Sequence, residues 1–346
     1  MKYLFLLTLL ITSGLSAYQT QVEVSLSMAK GKLSLTDFTD QVSAIPLEDT
    51  KHGEFSDIYE VVVIDDFLFL STFLKTDNEG IFKVLQFSKD GSFLKQIGET
   101  SNARFGLVYD FENEILGVST KKKLSYYSNT GERVSTSEVD TNHFFIYSSN
   151  LYGVVMNFDN SRWSYSLNQY VGLDLTKAVN LAKITDPSED AFFMGFKPQS
   201  TYNNDKAFIS FHVDNTIYEL HNNELKKYVE LNIKLPLVKK PSLSQGIVGS
   251  WVFASCSYPS RASMIFLYNL KSQKSYLIPF KASQYKIEAG ILDDIYDSGY
   301  FIPSISIKNK PSAQSTQLFY YLKNPSDVPK FKNVKAKKIL FIASTK

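Results

Sequence analysis

Few side chains in this sequence are spaced for acid–base, nucleophilic or metal chemistry. The four histidines stand apart, without the H-E-x-x-H or H-x-H spacing of transition-metal ligands, at His52, His143, His212 and His221. The single cysteine, Cys256, lies in an apolar stretch with no histidine near it in sequence, which favours a small buried strand residue over a nucleophile. The sequence contains no G-x-S-x-G elbow. These observations favour a protein without catalytic activity and without a cofactor.

Calcium chemistry is the alternative that the acidic residues leave open. Oxygen ligands for calcium could come from Asp65-Asp66, from Asp293-Asp294 and from the pair Asn157 and Asp159. The same residue types are ordinary turn formers, because their side chains cap their own turns. Turn formation is the favoured interpretation, and a calcium-dependent hydrolase is the alternative.

Arginine, aromatic and other polar residues in the predicted loops form a more informative group. Its members are Arg104, His143, Arg162, Trp163, His212, Asp214, Tyr258 and Arg261, and it contains three of the four arginines. Arginine and aromatic side chains anchor interfaces and bind planar or anionic ligands. The group is our candidate binding surface for a peptide, a glycan or an envelope protein. The alternative interpretation is that loops simply collect polar residues.

The elements that position these residues are predicted to be short antiparallel strands. From Gly80 to Gly98, apolar and polar residues alternate on both sides of Asp90-Gly91, which is the pattern of a β-hairpin. Similar hairpins are predicted over 124–134, 217–225 and 266–278. This recurrence indicates a repeat protein.

Units of about four strands follow one another from Ile58 onward. At roughly 40 to 50 residues per blade, the chain from Gln41 to Pro325 predicts a six-bladed β-propeller, with a β-sandwich as the alternative fold. The fourth unit is predicted to begin with a strand at 192–196. In the fifth unit, residues 246–256 are predicted to form one continuous segment. In such a fold, the loops between second and third strands and the loops between blades emerge on one face. The candidate group falls in those loops.

The sixth unit lacks an obvious fourth strand, which predicts closure of the ring by a strand from the far end of the chain. Residues 43–47 are the first candidate, and Pro46 suits a sheet edge because it has no backbone donor. This strand would pair with the strand of Phe319 and Tyr321. Residues 339–343 are the competing candidate, or an extra strand beside it.

The N-terminus predicts export. Lys2 is followed by an apolar run and then by small residues ending at Ala17, which is the pattern of a cleavable signal peptide. The apolar run is shorter than the roughly 20 residues that a membrane-spanning helix needs. The predicted division is a signal peptide at 1–17, an N-terminal extension at 18–40 and a single propeller domain at 41–346. We expect a periplasmic or secreted monomer without a disulfide. A net charge of +2 argues against nucleic acid as a partner.

The first hundred residues resemble exported six-bladed β-propeller proteins common in Bacteroidota. The resemblance is carried by the L-S-x-x-D phrase from Leu33 to Asp37, by Ile45-Pro46-Leu47-Glu48, and by the hairpin phrase from Phe87 to Gly98. It implies a propeller of TolB-like or NHL-like shape and export, and it supplies no catalytic residue. Propellers of this broad shape include calcium-dependent lactonases and phosphotriesterases, which defines the alternative hydrolase. The lipobox cysteine that many members carry is absent here.

Overall fold

A computed structural model describes most of the chain after residue 19. The described residues are 20–25, 32–39, 41–76, 79–120, 123–139, 141, 143–159, 162–171, 174–185, 198–203, 206–211, 214–234, 242–257, 263–282, 287–305, 307–309 and 317–344. The predicted signal peptide and the predicted strand at 192–196 lie outside them.

Two strands precede the first blade. They are β1 (Thr20–Ser25) and β2 (Gln41–Leu47), with a 3-10 turn at Leu35–Asp37 between them. Blade 1 consists of β3 (Asp57–Val63), β4 (Phe67–Lys75), β5 (Gly80–Ser88) and β6 (Phe93–Ser101). Blade 2 consists of β7 (Gly106–Asp110), β8 (Ile115–Ser119), β9 (Lys123–Ser128) and β10 (Arg133–Glu138).

The next three blades repeat this antiparallel order. Blade 3 consists of β11 (Phe144–Tyr147), β12 (Asn150–Asp159), β13 (Arg162–Val171) and β14 (Asp174–Thr185). Blade 4 consists of β15 (Gln199–Asn203), β16 (Lys206–Ser210), β17 (Thr216–His221) and β18 (Glu224–Lys234). Blade 5 consists of β19 (Ser242–Val248), β20 (Trp251–Ser257), β21 (Ser263–Asn269) and β22 (Ser275–Ala282), and a short β23 (Ile287–Ala289) pairs with the end of β22. The run 246–256, which was treated as one segment, is therefore divided between two strands.

Blade 6 combines strands from both ends of the chain. A hairpin of β24 (Ile291–Asp293) and β25 (Gly299–Phe301) comes first, and β27 (Gln317–Lys323) and β28 (Lys338–Ser344) follow. Between β25 and β27, the short β26 (Ile307–Asn309) pairs in parallel with β3 and so joins the sheet of blade 1. Ser304 pairs with Tyr320, so the chain following β25 is the first strand of the blade, with β27 as the second. β28 is the third strand and β2 is the fourth, at the edge.

Closure by the N-terminal strand is confirmed, but its predicted partner was wrong. Ile45 pairs with Leu340 of β28, and Phe341 of β28 pairs with Tyr321 of β27. The two candidate closing strands are thus neighbours, with the C-terminal one inside. The edge position suits Pro46, which has no backbone N–H to donate. Among the described strands, only β28 pairs with β2, so the other side of β2 needs no donor from this residue.

Local turn chemistry explains the confirmed hairpins. The Ser88 amide donates to the Ser92 carbonyl (2.9 Å) and the Gly91 amide to the Ser88 carbonyl (2.9 Å), with Gly91 at φ +95°. The same pattern recurs one blade on, where Gly131 has φ +75°. A positive φ at this position closes a hairpin whose type I turn ends in a bulge. The Gly91 carbonyl also accepts a hydrogen bond from the Glu48 amide (2.9 Å), which ties the end of β2 to blade 1.

The core consists of hydrophobic clusters between neighbouring blades. Among the described residues there are six clusters, one for each pair of adjacent blades, including blades 6 and 1. In the cluster that closes the ring, Leu47 and Leu340 of blade 6 pack with Phe55, Leu70 and Phe87. Six blade interfaces and six sheets define a closed six-bladed β-propeller.

Candidate binding face

The topology places the candidate group on one face of the ring. First strands of consecutive blades lie against each other, as β3 does with β7 and β7 with β11. Loops that join blades and loops that join second to third strands therefore emerge together. Arg104, His143, Arg162, Trp163 and Asp214 lie in or beside such loops. The other three residues of the group, His212, Tyr258 and Arg261, lie outside the described residues.

The hairpin of β12 and β13 brings two members of the group together. Arg162 pairs in register with Asp159, and Trp163 pairs with Phe158. The Trp163 and Phe158 rings are 4.9 Å apart between centroids. Phe158 is 54% exposed, and Asp159 and Arg162 are exposed beside it. The indole of Trp163 packs on the cluster between blades 3 and 4, so the hairpin tip presents an aromatic ring and two opposite charges on a rigid base.

Arg104 lies in the connection from blade 1 to blade 2 and packs on β3 of blade 1. Its guanidinium carbon stands 4.6 Å from the centroid of the Tyr59 ring, and Nη2 donates to the Tyr59 carbonyl (3.2 Å). The same Nη2 lies 3.6 Å from Oε1 of Glu60, whose Oε2 accepts the Leu107 amide (2.8 Å). The Arg104 side chain remains 31% exposed, so it can meet a ligand while holding this contact.

His143 and Asp214 lie in ordered loops of blades 3 and 4. The His143 amide donates to Oγ1 of Thr141 (3.2 Å), and its carbonyl accepts the Val154 amide (3.0 Å). Asp214 accepts the Tyr218 hydroxyl (2.5 Å) and the Thr216 amide (3.3 Å). Burial first, and the contact with Asp214 second, raise the pKa of Tyr218, which therefore remains a hydrogen-bond donor.

Two of the acidic residues considered as calcium ligands, Asp293 and Asp294, have protein partners in the structure. The Asp293 carboxylate is buried and accepts the Tyr296 amide (2.9 Å), the Ile295 amide (3.2 Å), the Tyr321 hydroxyl (2.9 Å) and the Ser298 hydroxyl. The Asp294 carboxylate accepts the Thr36 amide (3.1 Å) and hydroxyl (2.5 Å). These two carboxylates organise blade 6 and attach the N-terminal segment to it. In the ranges that the structure describes, no group of three or more histidine, cysteine or acidic residues is placed to hold a metal ion.

Sequence reasoning did not single out Glu60, Phe158 or the contact of Asp293 with Tyr321. Glu60 alternates with apolar residues in β3, but its burial against Arg104 and Leu107 depends on the next blade. In the sequence Phe158 resembles other strand aromatics, and it is the length of β12 and β13 that carries it past the ends of β11 and β14. The signal available in the sequence was the pair of apolar rings flanking Asp159 and Arg162.

Several solved structures superpose on this chain. A crystal structure of a protein from Bacteroides fragilis, described in its name as exported, superposes with a TM-score of 0.66 at 11% sequence identity and covers 94% of this chain and 100% of its own. The β-propeller domain of the Trilobed protease from Pyrococcus furiosus matches with a TM-score of 0.41 at 10% identity, over 84% of this chain and 96% of its own.

A periplasmic gluconolactonase from Pseudomonas aeruginosa matches with a TM-score of 0.34 at 12% identity, over 61% of this chain and 65% of its own. No protein-family model matches the sequence, and the search of curated proteins found no match. The superposition with the Bacteroides fragilis protein shows that the two chains share their fold. Within the described ranges, no helix has the length and apolar character to cross a membrane.

Proposed function

We propose that this chain is an exported, non-enzymatic binding module that recognises a peptide, a glycan or an envelope protein through the loop face bearing Arg104, His143, Arg162, Trp163 and Asp214. We further propose that it acts in the periplasm or the medium and belongs with the exported propellers of Bacteroidota. The observation that carries the proposal is the end of the β12–β13 hairpin, where Phe158 is exposed next to the opposite charges of Asp159 and Arg162.

The chemistry of this tip suits recognition of an extended polar ligand. An exposed aromatic ring packs on a peptide side chain or a sugar ring, while an adjacent guanidinium pairs with a carboxylate. Trp163 supports Phe158 from below, so little side-chain freedom is lost when a ligand binds. Arg104, over the ring of Tyr59, adds a second cation on the same face.

The use of carboxylates within the fold favours binding over hydrolysis. Asp293 accepts four hydrogen bonds from protein groups, and Asp294 accepts two from Thr36. A calcium ion at either residue would have to displace these donors. Both residues therefore have a structural role that accounts for their presence.

The experiment compares ligand capture by the wild type with capture by a double variant, Phe158→Ala with Arg162→Glu. Both positions are exposed, so the fold should be kept, and equal melting temperatures check this. Immobilised proteins are challenged with a solubilised envelope fraction and with a glycan array. Lys271→Glu, an exposed change in the β21–β22 turn on the opposite face, is the matched control.

The proposal expects ligands that are retained by the wild type and by Lys271→Glu, and that lose at least about tenfold in affinity with the double variant. Identical capture by all three proteins would contradict recognition at this face. Turnover of a lactone or phosphotriester by the wild type would contradict the non-enzymatic assignment.

A further inference from the structure

The connection between β27 and β28 is rich in lysine. Residues 323–338 contain six lysines and one acidic residue, Asp327, in a protein whose net charge is +2. Because β27 and β28 are the second and third strands of blade 6, this connection emerges on the loop face. It gives one corner of that face a concentrated positive charge.

The fold holds this connection in a defined conformation. Two 3-10 turns, Pro325–Asp327 and Pro329–Phe331, set its course, and Val328 between them is fully buried. The Phe331 ring lies 6.4 Å from the ring of Phe341 in β28, measured between centroids. The lysines that follow are therefore displayed on an anchored turn.

The six lysines divide into two sets. Three have protein partners close by, which are Ser298 for Lys323, Asn324 for Lys338 and Glu54 for Lys337. The other three, Lys330, Lys332 and Lys335, are exposed, and none of them forms an ion pair within the described part of the chain. Lys330 also lies over the ring of Tyr296, 5.6 Å from its centroid. Three ammonium groups are thus presented to solvent within residues 330–335.

An exposed aliphatic side chain lies among these three lysines. Val334 stands between Lys332 and Lys335 in sequence and is 38% exposed. Its amide donates to the Phe331 carbonyl (2.9 Å), which turns the chain at this point. Lysines combined with an exposed apolar residue suit the boundary between water and an anionic lipid surface. The headgroup phosphates attract the ammonium groups, and the apolar side chain enters the edge of the acyl region.

We propose that this docking turn, residues 330–335, attaches the protein to a membrane surface that contains anionic lipids. The lysine ammonium is a hydrated point charge on a flexible stem, which suits dispersed headgroup phosphates. Lysine is depleted in protein–protein interfaces, and planar pairing with the carboxylates of an acidic protein favours arginine. The composition of the turn therefore favours a lipid surface over an acidic protein.

The docking turn is separate from the hairpin tip of the proposed function. Blade 6 lies across the six-bladed ring from blade 3, which carries Phe158 and Arg162. Both structures belong to the loop face, so a docked protein would hold the hairpin tip close to the membrane. Neither proposal depends on the other, because they use different residues and different ligands.

Co-sedimentation with lipid vesicles tests the docking. Vesicles of equal parts phosphatidylglycerol and phosphatidylcholine are compared with vesicles of phosphatidylcholine alone, at low and at high salt. We expect the wild type to bind the anionic vesicles at least about tenfold more tightly than the neutral ones, and to bind less as salt rises. The triple variant Lys330→Glu, Lys332→Glu and Lys335→Glu should lose at least about tenfold, since each lysine near such a surface contributes roughly fivefold.

The matched control makes the same change in net charge on the opposite face. It combines Lys89→Glu, Lys271→Glu and Lys274→Glu, three exposed positions in the β5–β6 and β21–β22 turns, and it should bind like the wild type. The double variant Phe158→Ala with Arg162→Glu should also bind vesicles like the wild type, which separates this outcome from that of the proposed function. Melting temperatures check the fold of each variant, and glutamine replaces glutamate where a melt is not cooperative.

The proposal is overturned if the wild type does not bind the anionic vesicles, or if both triple variants lose equally. Poly-glutamate serves as the acidic-protein probe. Binding of poly-glutamate through the three lysines, without binding of vesicles, would replace the membrane by an acidic partner. If the wild type binds both, Val334→Ser decides, because a loss on vesicles alone supports lipid docking and no loss on either overturns it.

Discussion

Asp293 joins three parts of blade 6 through a single buried carboxylate. Its oxygens accept amides of the following turn, the Ser298 hydroxyl and the Tyr321 hydroxyl from β27. A hydrogen bond to a charged acceptor contributes more to stability than one between neutral groups. A buried donor left without an acceptor costs its full desolvation free energy. The first prediction concerns this residue.

Asp293→Asn should lower the free energy of unfolding by about 2 kcal/mol, because the carboxylate is replaced by a neutral group with a single acceptor oxygen. Urea unfolding of the variant and the wild type measures the change. The matched control is Asp297→Asn, at an exposed position with φ +54° that asparagine tolerates. Equal losses at 293 and 297 would show that the Asp293 contacts contribute little.

Buried tyrosines predict an alkaline limit to stability. Burial raises the pKa of Tyr109 from 10.0 to about 12, and burial also raises the pKa of Tyr126, Tyr218, Tyr320 and Tyr321. Each folded-state pKa lies above the unfolded value. The stabilising contribution is therefore fully present below pH 10 and is lost as the pH rises through the folded-state values.

An absorbance titration of tyrosinate should accordingly show two groups. The second group, the five buried tyrosines, should ionise only from about pH 12 or together with unfolding. Far-ultraviolet circular dichroism at each pH reports whether the fold is kept. A single step near pH 10 that includes all 21 tyrosines in a still-folded protein would contradict the burial described here.

At the scale of elements, β2 is the strand on which ring closure depends. Ile45 and Leu47 are buried against blade 1, and the turn at Gly91 bonds to Glu48. Replacing Leu47 with Asp should cost several kcal/mol out of the roughly 5 to 15 typical of a domain, because an unpaired charge enters the closing cluster. Lys89→Asp, in the exposed hairpin turn, should be nearly silent. Chemical denaturation of both variants measures the contrast, and similar midpoints would show that β2 does not close the ring.

The hairpins were predictable because their signals are local. Asp90-Gly91 and Asn222-Asn223 stand between alternating strands, and Gly91, Asn222 and Asn223 adopt the positive φ that these tight turns require. The Gly249-Ser250 turn was missed because apolar residues continue on both sides of it. The place of β28 between β27 and β2 could not be predicted, since strand order depends on contacts between distant residues.

The candidate site was predictable to a smaller extent. Strand order within blades placed Arg162 and Trp163 at a loop on one face, because that inference needs only the alternation of strands. The pairing of Arg104 with Glu60 and of Asp293 with Tyr321 joins residues that are distant in sequence. Local signals therefore indicated the turn-forming role of Asp293, which accepts the Ile295 and Tyr296 amides, but not its contact with the distant Tyr321.

The whole protein should be equally stable with and without calcium. The carboxylates of Asp293 and Asp294 accept hydrogen bonds from protein donors, so no ion is needed to satisfy them. Melting temperatures in calcium and in chelator should agree. A ligand selective for the native state, at a hundred times its dissociation constant, would add about 2.7 kcal/mol, so an upward shift in calcium would revive the hydrolase alternative.

The central structural claim is that a strand from the N-terminus completes the last blade beside β28. Cysteines at Gln41 and Ser344, which are partners in register, test it in a Cys256→Ser background. Mild oxidation should join them within a folded monomer, because paired strands bring their Cα atoms to within disulfide range. Cysteines at Gln41 and Gln317 are the control, since β28 lies between these two strands. We expect the 41–344 pair to crosslink and the 41–317 pair not to. The reverse result, or a folded protein in which neither pair crosslinks, would contradict closure of the ring by β2 beside β28.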